Sequence, residues 1–209
     1  MESAPKLDVK RIQALTDAIF AVVMTLLILE IKIPNSLSEA DLRKYFVDTA
    51  ICDFLVYFLS YIVLGIFWVG SHFHHHLITK TDRVSSWLNI LFLMMISVIP
   101  FSAKFLIHYR DDRFSVVFYS CNLILVCVCH YLMLIYAWKK KYIRPHLTKP
   151  MFRIYKKRII VPVIIYLMII PISLISVEIS IYMFLLPIVF HLLPESSELN
   201  INHNNVGHK

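Results

Sequence analysis

Glycine is almost missing from this chain of 209 residues, which has only Gly65, Gly70 and Gly207. Phosphate-binding loops, nucleophile elbows and ion filters built from backbone carbonyls all need glycine for their backbone shapes, and no such motif is present. Charge is scarce too: 17% of residues are charged and 58% are hydrophobic, where a soluble domain carries about 25% charged residues. Lipid is the solvent that suits this balance. The four cysteines, Cys52, Cys121, Cys127 and Cys129, form no C-x-x-C pair and imply no disulfide framework. Met1 to Lys10 has neither the apolar stretch nor the cleavage site of a removable signal peptide, so the first apolar run is expected to stay in the mature protein. H-E-x-x-H is absent, and Asp17, Glu30, Asp53 and Glu178 share no catalytic motif, so no enzyme is expected. The chain also lacks the internal repeat common in secondary transporters.

What the chain does have is long apolar runs, at about 12–33, 47–77, 84–108, 114–137, 158–176 and 178–193. A spanning helix needs roughly 20 mostly apolar residues. The expected fold is an all-α integral membrane protein with six transmembrane helices. They fill a domain over 1–195, followed by a polar, disordered tail over 196–209. Ser176 and Glu178 mark a tight hairpin between the last two spans, and Pro162, Pro171 and Pro187 are expected to kink them. With the N-terminus inside, fifteen Lys and Arg lie on the cytoplasmic side and four outside, which predicts both termini in the cytoplasm. The net charge of +7 is concentrated from Lys139 to Arg158. That loop reads as positive-inside sequence, able to meet anionic lipid headgroups, and not as a nucleic-acid surface.

Chemistry-bearing residues gather in the first half. On a helical wheel Ala18, Val22, Thr25, Leu26 and Leu29 share one face of the first span, and Asp17 lies about 140° from Val22. An aspartate this deep in a span needs a partner or a wet cavity. It reads either as a helix brace, bonded to Arg11 or a histidine, or as a group that handles ions or protons. His72, His74, His75 and His76 follow Trp68. His72 and His76 have a metal-capable i, i+4 spacing, but no carboxylate or cysteine supports it, and no metal is expected. A structural polar network and an exposed interfacial cluster are the other readings. Trp68, Trp87 and Trp138 fit interfacial anchoring.

The opening resembles the R-x-x-x-F-S-D signature of the transmembrane protein 175 family, the lysosomal and bacterial potassium channels. Here it reads Arg11, then Leu15-Thr16-Asp17, followed by the run from Phe20 to Leu27. The histidine cluster after Trp68, then Asp82, Trp87-Leu88-Asn89 and Pro100-Phe101, agree in order, so the resemblance covers roughly residues 10 to 105. Leu15 and Thr16 stand where the family usually has Phe and Ser. The resemblance implies six helices per subunit, a homotetramer, and a central pore lined by the first helix. By position, Val22 is the first apolar ring, Thr25 the threonine beyond it, and Leu26 and Leu29 the continuing lining. Val22 is smaller than the usual residue, which loosens the constriction or shifts it to Leu26. The family also implies that His72 or His75, with Asn89, braces Arg11 and Asp17.

The expectation is therefore a potassium-favouring cation channel of a bacterial cell membrane, with no cofactor and potassium as the permeant ion. Its constriction would be made of side chains. The alternatives are a proton-coupled transporter using Asp17 and the histidines, or a non-conducting membrane scaffold.

Overall fold

A computed structural model of the chain describes residues 8–31, 38–145 and 148–193. The tail expected over 196–209 lies outside the described residues. The described residues are nearly all helical. Helix α1 (Val9–Leu27) is capped by Asp8, whose carboxylate accepts from the Lys10 amide at 3.0 Å, and it ends in a 3-10 turn at Ile28–Glu30. Helix α2 (Glu39–Tyr45) runs through a π-turn (Phe46–Ala50) into α3 (Ile51–Leu77). Then come α4 (Arg83–Ser97), α5 (Ile99–His108), α6 (Arg113–Lys139), α7 (Lys149–Ser173), α8 (Val177–Met183) and α9 (Leu185–Leu192).

Among the described residues, four helical stretches are long and apolar enough to cross a membrane: Val9–Glu30, Asp53–Leu77, Arg83–His108 and Arg113–Lys139. The last two predicted spans are shorter as apolar units. Helix α7 begins with Lys149, Arg153, Lys156, Lys157 and Arg158, and the apolar stretch Val177–Leu192 is divided between α8 and α9. Helix α7 stays continuous through Pro162 and Pro171. Between α7 and α8 the helix is interrupted by a turn at 174–175, and the Ser176 hydroxyl caps α8 by accepting from the Ile179 amide at 3.4 Å.

The predicted span 84–108 is divided at Val98. Pro100 sits in the first turn of α5 and lacks an amide hydrogen, so it cannot continue the ladder of α4. Asn122 of α6 bridges the break. Its amide donates to the Met95 carbonyl at 3.0 Å, and its oxygen accepts from the Ser102 hydroxyl at 2.8 Å. Such a bond matters more where no water can replace it.

The core lies between α1, α3, α4, α5 and α6, around Phe20, Leu64, Phe92, Ile96, Ile99 and Leu123, all fully buried. Ser60 of α3 and Tyr119 of α6 share a buried hydrogen bond of 3.0 Å. Gly70 lets α3 approach α6: a Cβ there would stand 3.0 Å from the His130 ring. At one end of the molecule the chain after α3 pairs with the chain after α6. The Thr79 amide donates to the Tyr142 carbonyl at 2.7 Å, and the Arg144 amide to the Leu77 carbonyl at 2.9 Å. Asp82 fastens the same end. Its carboxylate accepts from the Ser85 amide at 2.8 Å, the Tyr136 hydroxyl at 2.6 Å and the Tyr142 hydroxyl at 3.3 Å. Burial pushes the Asp82 carboxyl up, but these donors outweigh it and hold the group below the usual carboxylate range.

Candidate functional site

Helix α1 has two opposite faces. Thr16, Phe20, Val23 and Leu27 recur at helical spacing and are buried against the rest of the chain. Phe20 meets the Phe92 ring with centroids 6.1 Å apart, which holds α1 on α4. The other face presents Ala18, Val22, Thr25, Leu26 and Leu29, all exposed within the chain. Val22 is 53% exposed while its neighbour Val23 is 4% exposed, so the two valines separate the faces cleanly. All four residues expected to line a pore thus stand on one unpartnered stripe.

Thr25 is the polar member of that stripe. Its hydroxyl lies 2.8 Å from the Val22 carbonyl and 3.1 Å from the Ala21 carbonyl, so it donates back to its own helix. A hydroxyl has one hydrogen and two lone pairs. Spending the hydrogen on the backbone leaves the oxygen as an acceptor on the exposed side, the polarity a cation requires.

The inner side of α1 carries the polar anchor. Thr16 is 1% exposed; its hydroxyl donates to the Ile12 carbonyl at 2.9 Å and accepts from the Asn89 amide at 3.1 Å. Asp17, partly buried, accepts from the Trp68 indole at 2.9 Å. The two bonds tie α1 to α4 and to α3 on adjacent residues. His75 is buried and turned onto its own helix, with Nδ1 2.8 Å from the Ser71 carbonyl. Leu15 is exposed, as are Arg11 and His72, and among the described residues Arg11 makes no side-chain hydrogen bond or ion pair. The structure therefore brings together Thr16, Asp17, Asn89 and, nearby, His75, with the His72 ring 6.0 Å from that of Trp68, the partner of Asp17, while Arg11 stands apart from them. Among the described residues no group of three His, Cys, Asp or Glu is placed to hold a metal ion.

Two contacts escaped the sequence reasoning. Trp68 reads as an interfacial anchor, yet it is the donor to Asp17. Its place between Asp17 and the histidine cluster in the family-like order was the available signal. At the other end of α1, Glu30 pairs with Lys104 of α5 at 2.6 Å. No local spacing connects residues so far apart in sequence.

Known proteins resemble this chain over its first half and in its fold. Residues 11–100 match the family described as endosomal/lysosomal potassium channel TMEM175. A protein of Streptomyces collinus named as a potassium channel is 34% identical over 106 residues, which is 50% of this chain and 51% of that one. A chicken protein named endosomal/lysosomal proton channel TMEM175 is 31% identical over 101 residues, 45% of this chain and 20% of that one. The chain thus matches about half the length of its bacterial relative. The crystal structure of a lysosomal potassium-selective channel TMEM175 homolog from Chamaesiphon minutus superposes with a TM-score of 0.74 at 22% identity, covering 88% of this chain and 95% of that one. That likeness shows the shared fold. Through residues 11–100, which hold nearly all of α1, then α3, α4 and the Thr16–Asn89 and Asp17–Trp68 pairs, the chain resembles the TMEM175 family.

Proposed function

We propose that this chain is one subunit of a homotetrameric, potassium-favouring cation channel whose pore is enclosed by four copies of α1. The observation that carries this reading is the exposed stripe of α1, apolar except for one acceptor hydroxyl, on a helix whose opposite face is fully used by the chain's own core. A helix apolar on all sides is at home in lipid, but a threonine whose acceptor oxygen faces outward suits an aqueous path. The names of the bacterial relatives as potassium channels support potassium as the permeant ion.

In this reading six spans occupy residues 1–195, with both termini in the cytoplasm. The basic stretch Lys139–Arg158 lies against the inner leaflet and its anionic headgroups. Val22 and Leu26 form stacked apolar rings about the four-fold axis, and Leu29 continues the lining. With no carbonyl cage, selectivity is modest and comes from the cost of shedding water at the rings and from the Thr25 oxygens.

Val22→Asn or Leu26→Asn should raise basal cation current, because polarity at a hydrophobic constriction opposes dewetting. Val23→Asn should leave unitary conductance unchanged and lower stability, since Val23 is buried in the core. Thr25→Val should lower the preference for potassium over sodium while current persists. Unitary conductance and reversal potentials in planar bilayers decide this. Wild-type conduction by the Val22 and Leu26 variants, with an altered pore in Val23 variants, would overturn the assignment of the lining face. The vertebrate relatives' name as proton channels favours a second reading, in which the same path carries protons. A reversal potential that follows the proton gradient instead of the potassium gradient would establish it. Absence of flux in liposomes would leave the scaffold.

A further inference from the structure

Where α1, α3, α4 and α6 converge, a cavity of about 10 Å³ lies between Ile12, His74, His75, Thr81, Ser85 and Asn89. Three of these residues carry a buried polar atom with no hydrogen-bond partner among the described residues: His74 Nδ1, His75 Nε2 and Thr81 Oγ1. His74 and His75 are 6% and 4% exposed, so bulk solvent does not serve them. Buried polar atoms are almost always bonded, to protein or to an ordered water. Four buried unpartnered side-chain atoms occur among the described residues, and three of them belong to residues lining this one cavity.

We propose that the cavity is a binding site for a single water molecule, held by His74 Nδ1, His75 Nε2 and Thr81 Oγ1. Its volume matches one water, which needs two to four polar partners. The protonation pattern fits as well. His75 Nδ1 faces the Ser71 carbonyl at 2.8 Å and must donate to it, so in the neutral ring Nε2 is left as an acceptor. A water can donate one hydrogen to His75 Nε2, donate the other to His74 Nδ1, and accept from the Thr81 hydroxyl. Asn89 stands within hydrogen-bonding reach of the His75 ring, but its side chain is committed to Thr16 and no bond of good geometry satisfies Nε2, which is the gap a bridging water closes. A cation is a poorer occupant: no carboxylate lines the cavity, and Lys80 does. The water joins the end of α3 to the start of α4. Because Asn89 also holds Thr16, it extends the polar anchor of α1 to the histidine pair.

The site is independent of whether the protein conducts, and its test needs no flux. In a structure of the intact purified protein at a resolution that shows ordered water, density is expected within hydrogen-bond distance of at least two of the three atoms. In Thr81→Val that density should fade, while Thr81→Ser should keep it. Solid-state NMR on the histidine-labelled protein in lipid should show contact between His75 Nε2 and water protons, reduced in Thr81→Val and restored in Thr81→Ser. Empty density with the three atoms closing on one another, a peak with anomalous metal scattering, or a His75 signal unmoved by Thr81→Val would each overturn the proposal.

Discussion

Asp17 finds its partner in the indole of Trp68, at 2.9 Å. A bond to a carboxylate contributes about 1.5–3 kcal/mol when shielded, and less where solvent reaches it. Asp17 is only partly buried and Trp68 is exposed within the chain, so we expect about 1 kcal/mol. Trp68→Phe and Asp17→Asn should each lower the melting temperature, and the double variant should lose less than the sum, because the first removes and the second weakens the same bond. In the proposed tetrameric channel the loss should appear as a smaller tetramer fraction by light scattering, with the reversal potential of surviving channels unchanged. An intact tetramer with altered ion preference would move Asp17 into the permeation path. At this scale the sequence was half legible. Periodicity alone separated Val22 from Val23 and set Thr25 beside Val22, because a helix fixes the angle between neighbours. The partner of Asp17 was not legible, since it depends on how α3 lies against α1, and periodicity carries no information about that.

The ends of the elements show what scarce glycine demands. Helix α6 finishes with the Tyr142 amide donating to the Ala137 carbonyl at 3.0 Å and the Lys141 amide to Trp138 at 3.1 Å. This closure requires a left-handed residue, usually glycine. Lys141 takes that role with φ 56°, where a side chain is strained. Lys141→Gly should therefore stabilise the protein by roughly 0.5–1 kcal/mol, an upward shift of a few degrees in melting temperature. Lys140→Gly, one residue earlier in a right-handed conformation, should lower it. The break at Val98 belongs to this scale too. Pro100 was visible in the sequence as part of a family-like pair, but hydropathy continued smoothly across it, so the apolar run read as one helix. The service of Asn122 to that break is tertiary and left no mark on the local sequence.

Across the whole molecule, Asp82 joins the start of α4 to the end of α6 and the chain beyond it. Its carboxyl is held below its ordinary value, so the folded state binds this proton less readily than the unfolded chain does. The stabilisation is complete above about pH 4, the ordinary aspartate value, and is lost as pH falls from there through the depressed folded value. Melting temperature in detergent should drop in that acid window. Asp82→Asn, which keeps a capping oxygen without the charge, should be less stable at neutral pH and show a shallower acid drop. Parallel acid curves for the two proteins would remove Asp82 as a source of the pH dependence.

Mechanically, α1 is a beam clamped at two points. Thr16 and Asp17 fasten its middle to α4 and α3, and Glu30, just past its last turn, fastens the far end to α5 through Lys104. Between the clamps lie roughly 20 Å of helix, and Val9–Leu27 contains neither glycine nor proline, so the beam has no hinge. Such a rod tilts or rolls as one piece and does not fold in the middle. Val22, Thr25 and Leu26 therefore move together, and nothing in this helix lets one be displaced while the others stay.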